Sequence, residues 1–422
     1  MVPQEEACVE VPPKAAAPHK RLNWGSLLLP VVAIAAGTFV ASWPKARPPS
    51  IPDGSSLQDL PSWPLFWAST TLLDICSSVS KLVTPPHIQV QDLSSSYWRS
   101  ELTYALTKHG VFDAVSEHGG EVACSDLGGS LALSENFVCR LMDAGTSLHL
   151  LRKHKGKFQL TATGELLRTA HPSTLAPLVL MFNEELRDSW RNTATHGDHG
   201  ADFVSLHQSD SDNHQMAQYD MAMKGMSVGM SAALVGDWAP PANNSTICDI
   251  GGGLGHVLVE ILMHYPGAKG LLLEKPAVAA RAEMNIAQAG HGLNSRLQVV
   301  SGDIHAPLSP AFAKCDVFYL KFIMHSFDEN KAVELLSNIR TRAKPGARLV
   351  ITEFVKGASG PTTETFKAFM DLSMLAATAG GRERTFTQYK QLFRAAGLTR
   401  KPRLVRMRAP VSSIEVDLAP AL

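Results

Sequence analysis

From residue 247 onward the chain alternates short apolar runs with stretches of helical period. Ile247-Cys248 leads into a glycine-rich turn, and His256 to Leu262 repeats its apolar residues at helical spacing. Gly270-Leu-Leu-Leu-Glu274 reads as a buried parallel strand, and Leu297 to Val300 as another. Cys315 to Lys321 is a fourth strand, Glu329 to Arg342 a helix, and Leu349 to Glu353 a fifth strand after the turn at Pro345-Gly346. Strands that alternate with helices imply an open α/β sheet, and functional residues of such sheets sit beyond the carboxyl ends of the strands.

The first half has a different pattern. Leu65 to Val83 is largely apolar, but Asp74 and Lys81 interrupt it, as in an amphipathic helix that Pro85-Pro86 ends. Tyr97 to His109 reads as helix. Cys124 to Gly128 and Ser134 to Met142 suggest two short helices, the second capped by Ser134. Leu148 to Arg152 and Phe158 to Thr161 suggest a hairpin around Gly156. Two helices and a hairpin form a winged-helix layout. A nucleic-acid reader needs a basic face, yet the second helix sets Glu135 and Asp143 against Arg140. The whole chain balances 39 basic against 39 acidic residues, so no nucleic-acid partner is expected.

Residues 1–62 are proline-rich and poor in core-forming pattern. Inside this extension residues 27–43 form an uncharged apolar run, short for a membrane span. It reads as a signal-anchor, the hydrophobic part of an organelle-targeting sequence, or an interfacial helix. Lys20 and Arg21 before it and Lys45 and Arg47 after it leave the orientation open. The expected organisation is therefore an extension over 1–62, a mostly helical winged-helix-like domain over 63–200, and an α/β domain over 201–422. The 6 cysteines are scattered with no C-x-x-C pair. Reduced, mostly buried thiols are expected, without disulfides or zinc, and no metal site is expected.

The glycine turn carries the chemistry. Asp249-Ile-Gly-Gly-Gly-Leu-Gly255 lacks the phase of a dinucleotide fingerprint, because His256 stands at the third glycine position. It also lacks the Gly-Lys-Ser/Thr of a phosphate loop. D-x-G-G-G-x-G resembles the pattern of S-adenosylmethionine (SAM) methyltransferases. That resemblance implies Asp249, Gly251 and Gly253 at the cofactor. Glu274, at the end of the next strand, can accept both ribose hydroxyls. Asp303, after the third strand, takes the adenine amino group in this fold, with Ile304 beside it, and Lys321 ends the fourth strand.

His325 follows closely in Lys321-Phe-Ile-Met-His325. A phenol with a pKa of about 10 gains from losing its proton as it attacks a methyl group, and a histidine near 6.5 suits that task. Carboxylates beside such a base can hold its tautomer, and Glu353 and Glu383 can play that part. The chain resembles the plant caffeic-acid and acetylserotonin O-methyltransferases and their bacterial relatives over roughly residues 79–398. The specific pieces are the glycine turn, Gly302-Asp303, Lys321 to His325, Asp371-Leu-Ser-Met374 and Gly380-Gly-Arg-Glu-Arg-Thr385. The resemblance implies a Rossmann-like SAM domain preceded by a winged-helix dimerisation region over Phe112 to Leu167. It implies a homodimer, His325 as base, and Glu353 and Glu383 flanking it.

Four positions depart from the family. Glu274 stands where Asp is usual, and Ile304 where Met is frequent. Ser326 and Phe327 stand where Asp and Trp are usual, which weakens a claim for a catechol-like acceptor. By family position and apolar type, Met181, Trp190, Met223, Phe322 and Met374 are expected to line the acceptor pocket of a small molecule. Methylation of nitrogen or carbon on the same fold, and a silent SAM-binding scaffold, remain alternatives.

Overall fold

The apolar runs resolve into two sheets. The computed structural model describes residues 61–197, 213–238, 244–290 and 292–418. β1 (Glu121–Ala123), β2 (Leu151–His154) and β3 (Lys157–Leu160) form an antiparallel sheet in the order β1-β3-β2. β4 (Thr246–Ile250), β5 (Lys269–Glu274), β6 (Leu297–Ser301), β7 (Val317–Lys321), β8 (Arg348–Glu353), β9 (Arg403–Arg406) and β10 (Ser412–Asp417) form the large one. Its order is β6-β5-β4-β7-β8-β10-β9, with the first five strands parallel, β10 antiparallel to β8, and β9 antiparallel to β10. The order turns back at β4 and β7. Ligand crevices of open α/β sheets lie at that reversal.

Side-chain alternation divides the apolar strands between two cores. Cys248, Leu271, Leu273, Phe318, Leu320, Leu349 and Ile351 face one side, against Leu335, Ile339, Tyr389 and Phe393. Ile247, Leu272, Val317, Tyr319 and Val350 face the other, against Leu258, Ile261, Leu262 and Ile286. A strand covered on both faces needs apolar residues at successive positions, which is why these strands read as unbroken runs. The N-terminal helices gather on a separate core around Leu106, Phe112, Val138, Met142 and Phe158.

The helix expected to end at the proline pair spans Trp63–Val83. Pro86 then opens a further helix, Pro86–Ser95, which the sequence pattern did not suggest. Proline is tolerated in the first helical turn because the N–H it lacks would have no partner there. The winged-helix region has its two helices, Cys124–Ser130 and Glu135–Ser147, and its hairpin. Ser134 caps the second helix by accepting from Phe137 N. The third strand, β1, is too short to show a period.

The cysteines require a correction. Instead of reduced thiols, Cys124 pairs with Cys139 and Cys248 with Cys315 in disulfides. Sequence spacing hides both. Cys124 begins a helix that packs on the helix carrying Cys139, and Cys248 lies on β4 while Cys315 precedes its neighbour β7. Cys76 is free and exposed. The apolar run at 27–43 lies outside the described residues; among those described, no helix is long and apolar enough to cross a membrane.

Candidate active site

β4 ends in the glycine loop, and the backbone there explains the residue choice. Gly251 has φ 74°, and a Cβ on it would stand 2.6 Å from Ile323 Cδ1. A Cβ on Gly252 would meet Asp249 Oδ2 at 2.2 Å. Only glycine permits this close turn. It brings Gly253 N to Glu274 Oε1 at 2.8 Å, while Lys275 N donates to Glu274 Oε2 at 2.9 Å. Strand-end Glu274 thereby holds the loop as well as facing the cavity. Burial raises its pKa, against the pull of those two N–H groups.

One cavity collects Asp249, Gly251, Gly253, Glu274, Ile304 and Lys321. Asp303 is not on its wall; that side chain is exposed and accepts from His305 N at 2.9 Å. Asp249 is only 2% exposed, its Oδ1 has no partner, and burial pushes its pKa up to about 7. Lys321 Nζ donates to Ser227 Oγ at 2.9 Å and lies 3.9 Å from the centroid of the Phe322 ring. Burial brings Lys321 down to about 7, although Asp249 and Glu353 oppose the change.

Beyond β7 the chain makes a strained turn. Phe322 has φ 55°, a left-handed conformation costly for a bulky residue. In it the Phe322 ring stacks on Phe354 at 4.9 Å and on the His325 imidazole at 5.5 Å. His325 Nδ1 lies 2.8 Å from Glu383 Oε1. Glu353 acts on the backbone instead. Its Oε1 accepts from the N–H groups of Ile323, Met324 and His325 at 3.1, 2.7 and 3.3 Å, and its Oε2 accepts from Tyr389 OH at 3.0 Å.

Opposite those N–H groups, buried Arg384 donates to Met324 O and Phe327 O, each at 2.6 Å. Burial would lower the His325 pKa, but the charges of Glu383 and Glu353 outweigh it and the net shift is upward. Ligand atoms of His325, Glu353 and Glu383 lie within 4.8 Å of one another, a spacing that can hold a metal. Both oxygens of Glu353 are already engaged by the turn and Tyr389, so this cluster reads as a braced base.

Of the expected acceptor residues, Met223 and Phe322 line the cavity, together with Ser326 and Phe327. Met181, Trp190 and Met374 do not. Met181 packs on Ala222 and Ala377, Trp190 Nε1 donates to Ser373 Oγ at 3.0 Å, and Met374 packs against the core that contains Trp238, Tyr319 and Phe354. The sequence reading missed Lys224, Ser227 and His256 in the cavity, and Tyr389 and Arg384 behind His325. A single basic residue within the Met- and Ala-rich stretch of the helix Asn213–Gly236 was the available signal for Lys224.

Comparison with known proteins identifies the family and the fold. The profile for the O-methyltransferase domain matches residues 182–399, and that for the O-methyltransferase dimerisation domain matches residues 91–170. A phenazine O-methyltransferase from Lysobacter antibioticus is 27% identical over 317 residues, covering 72% of this chain and 88% of that protein. Mouse acetylserotonin O-methyltransferase is 36% identical over 169 residues, 39% of this chain and 41% of that protein. The crystal structure of human N-acetylserotonin methyltransferase in complex with SAM superposes with a TM-score of 0.68 at 20% identity, covering 80% of this chain and 99% of that one.

Proposed function

The chain belongs to the SAM-dependent O-methyltransferase family, and we propose that it methylates a phenolic or similar hydroxyl of a small molecule with His325 as general base. The observation that carries this reading is the buried His325–Glu383 pair at the cavity end of β7. A proton on Nδ1, donated to Glu383, leaves Nε2 with the lone pair that takes the acceptor proton. When the imidazole becomes cationic, Glu383 stabilises it. Glu353 and Arg384 hold the turn from its two sides, and Phe322 fixes the plane of the ring.

SAM supplies a methyl group already activated on a sulfonium. The cavity fits that cofactor. Asp249 offers an unpartnered acceptor to a cation, Glu274 keeps lone pairs beyond its two backbone bonds for a diol, and the glycine loop leaves room for close approach. Gly251, Gly253, Ile304 and Lys321 complete the wall. We assign Asp303 to the adenine edge, next in sequence to Ile304 on the cavity wall.

Relatives named for phenazine and acetylserotonin methylation support a flat aromatic acceptor. The matched dimerisation domain supports a homodimer, and we assign the extension around residues 27–43 to targeting or membrane association on its apolar run. A screen with labelled SAM across phenolic, indolic and hydroxy-terpenoid acceptors tests the reading. Transfer to amines or carbon, with no hydroxyl methylated, would overturn it.

A further inference from the structure

We infer that Asp371 is a positioning residue for the base: it fixes the backbone of Glu383 and so sets that carboxylate against His325, an inference that rests on the general-base reading above. Glu383 lies in the stretch 378–384, between the helices Pro361–Ala377 and Phe386–Ala395, and this stretch is neither helix nor strand. Its N–H therefore has no partner from a helical turn or a ladder, and a buried N–H needs one. Asp371, on the preceding helix, provides it: Oδ1 accepts from Glu383 N at 2.8 Å.

Little else holds the Glu383 carboxylate. Its Oε1 meets His325 Nδ1 at 2.8 Å, and its Oε2 is buried with no hydrogen-bond partner. Glu353, by contrast, has both oxygens engaged by the turn and by Tyr389. The place of the Glu383 carboxylate is thus set by the backbone that carries it. In a reacting site a shift of about 1 Å can cost about 100-fold in rate.

Asp371 is itself held. Its Oδ2 accepts from Lys356 Nζ at 2.7 Å, and Lys356 N donates to Arg384 O at 3.0 Å. One residue beyond β8 thereby ties down both Asp371 and the neighbour of Glu383. Four residues earlier on the same helix, Lys367 Nζ donates to Val355 O at 2.7 Å and to Ser359 Oγ at 2.8 Å. Residues four apart share a helix face. That face grips the chain leaving β8 through Lys367 and the Glu383 stretch through Asp371. Arg382 N also donates to His325 O at 2.7 Å, which joins the same stretch to the base turn. The Asp371–Lys356 ion pair is partly exposed on both sides and contributes little stability by itself. Asp371 does not line the cavity, so its influence on methyl transfer passes through Glu383.

A double-mutant cycle in kcat tests this on the full chain, with labelled SAM and the phenol that the screen above selects. Glu383→Ala alone should lower kcat by about 10–100-fold. Asp371→Ala should lower it by about 10-fold, inside that ceiling, and leave the KM for SAM unchanged. In the Glu383→Ala background the same Asp371→Ala change should cost less than about 2-fold, because residues that act as a unit are not additive. Asp371→Asn keeps an acceptor for the N–H of residue 383 and should recover most of kcat. Asp371→Glu keeps the charge but moves the carboxylate by one methylene, and it should not. Asp371→Glu also carries the cycle if Asp371→Ala does not fold.

If Glu383→Ala leaves kcat intact, the base reading fails and this inference falls with it. If Glu383→Ala is slow, but Asp371→Ala costs the same factor with and without Glu383, or lowers stability at full kcat, Asp371 does not position Glu383 and the base reading stands.

Discussion

His325 Nδ1 and Glu383 Oε1 are 2.8 Å apart, and both side chains are closed off from bulk water. A base must be neutral to take a proton, so activity should rise with pH through the His325 pKa. Burial alone would lower that pKa, yet the charges of Glu383 and Glu353 carry it above 6.5. The acidic limb of the kcat profile should therefore have its midpoint above 6.5. Glu383→Gln removes one of those charges, so the midpoint should move to lower pH. The plateau should fall by about 10–100-fold, less than the loss of a whole base. A limb that stays in place would show that another group titrates.

Replacing the base itself gives a larger effect. His325→Ala should lower kcat by about 10²–10⁴-fold and leave SAM affinity nearly unchanged, because His325 is not among the residues that line the cofactor cavity. The loss should shrink at high pH for acidic phenols, which ionise unaided. Full activity on a weakly acidic hydroxyl would refute the assignment.

Glu274 holds the glycine loop through Gly253 N and Lys275 N and faces the cavity. Glu274→Ala should weaken SAM binding by about 1.5–3 kcal/mol, the range for charge-assisted hydrogen bonds. Glu274→Asp should retain most of the affinity. Calorimetric titration checks both, and unchanged affinity in the alanine variant would place the cofactor elsewhere.

Arg384 is fully buried and bridges two carbonyls of the His325 turn. Arg384→Met leaves Met324 O and Phe327 O without that donor and removes a buried cation near two carboxylates. It should cost about 3–5 kcal/mol of stability, read from the urea midpoint, and should lower kcat as well. Arg384→Lys keeps the charge but not the fork, so it should fall between wild type and Met.

The disulfide between Cys124 and Cys139 spans a sequence separation of 15. A loop of that size is worth about 3 kcal/mol in the chain-entropy account. In a variant that lacks the second disulfide (Cys248→Ser with Cys315→Ser), unfolding with and without reductant should differ by that order, and adding Cys139→Ser should abolish the difference. Equal stability in both conditions would mean that the two thiols are not joined.

Much of this protein was legible in its sequence. Strands buried on both faces must be apolar at consecutive positions, so β4, β5, β7 and β8 appear as runs, and the acids and bases that break those runs mark the strand ends. Asp249, Glu274 and Lys321 were visible for that reason, and the structure brings them to one cavity. The glycine phase was visible because only glycine allows the turn at Gly251.

What only the tertiary structure decided are contacts between residues distant in the chain. Glu353 and Glu383 look alike in sequence, yet one holds backbone N–H groups and the other the imidazole. Arg384 and Tyr389 lie some sixty residues beyond the turn they brace. Cys248 and Cys315 meet because β4 and β7 are neighbours in the sheet, although two strands intervene in sequence. Met181, Trp190 and Met374 have the composition of a pocket wall, but helix packing turns them into other contacts. Local pattern records the period and burial of each element. Which side chain meets which depends on strand order and helix packing, and these are set by the whole core at once.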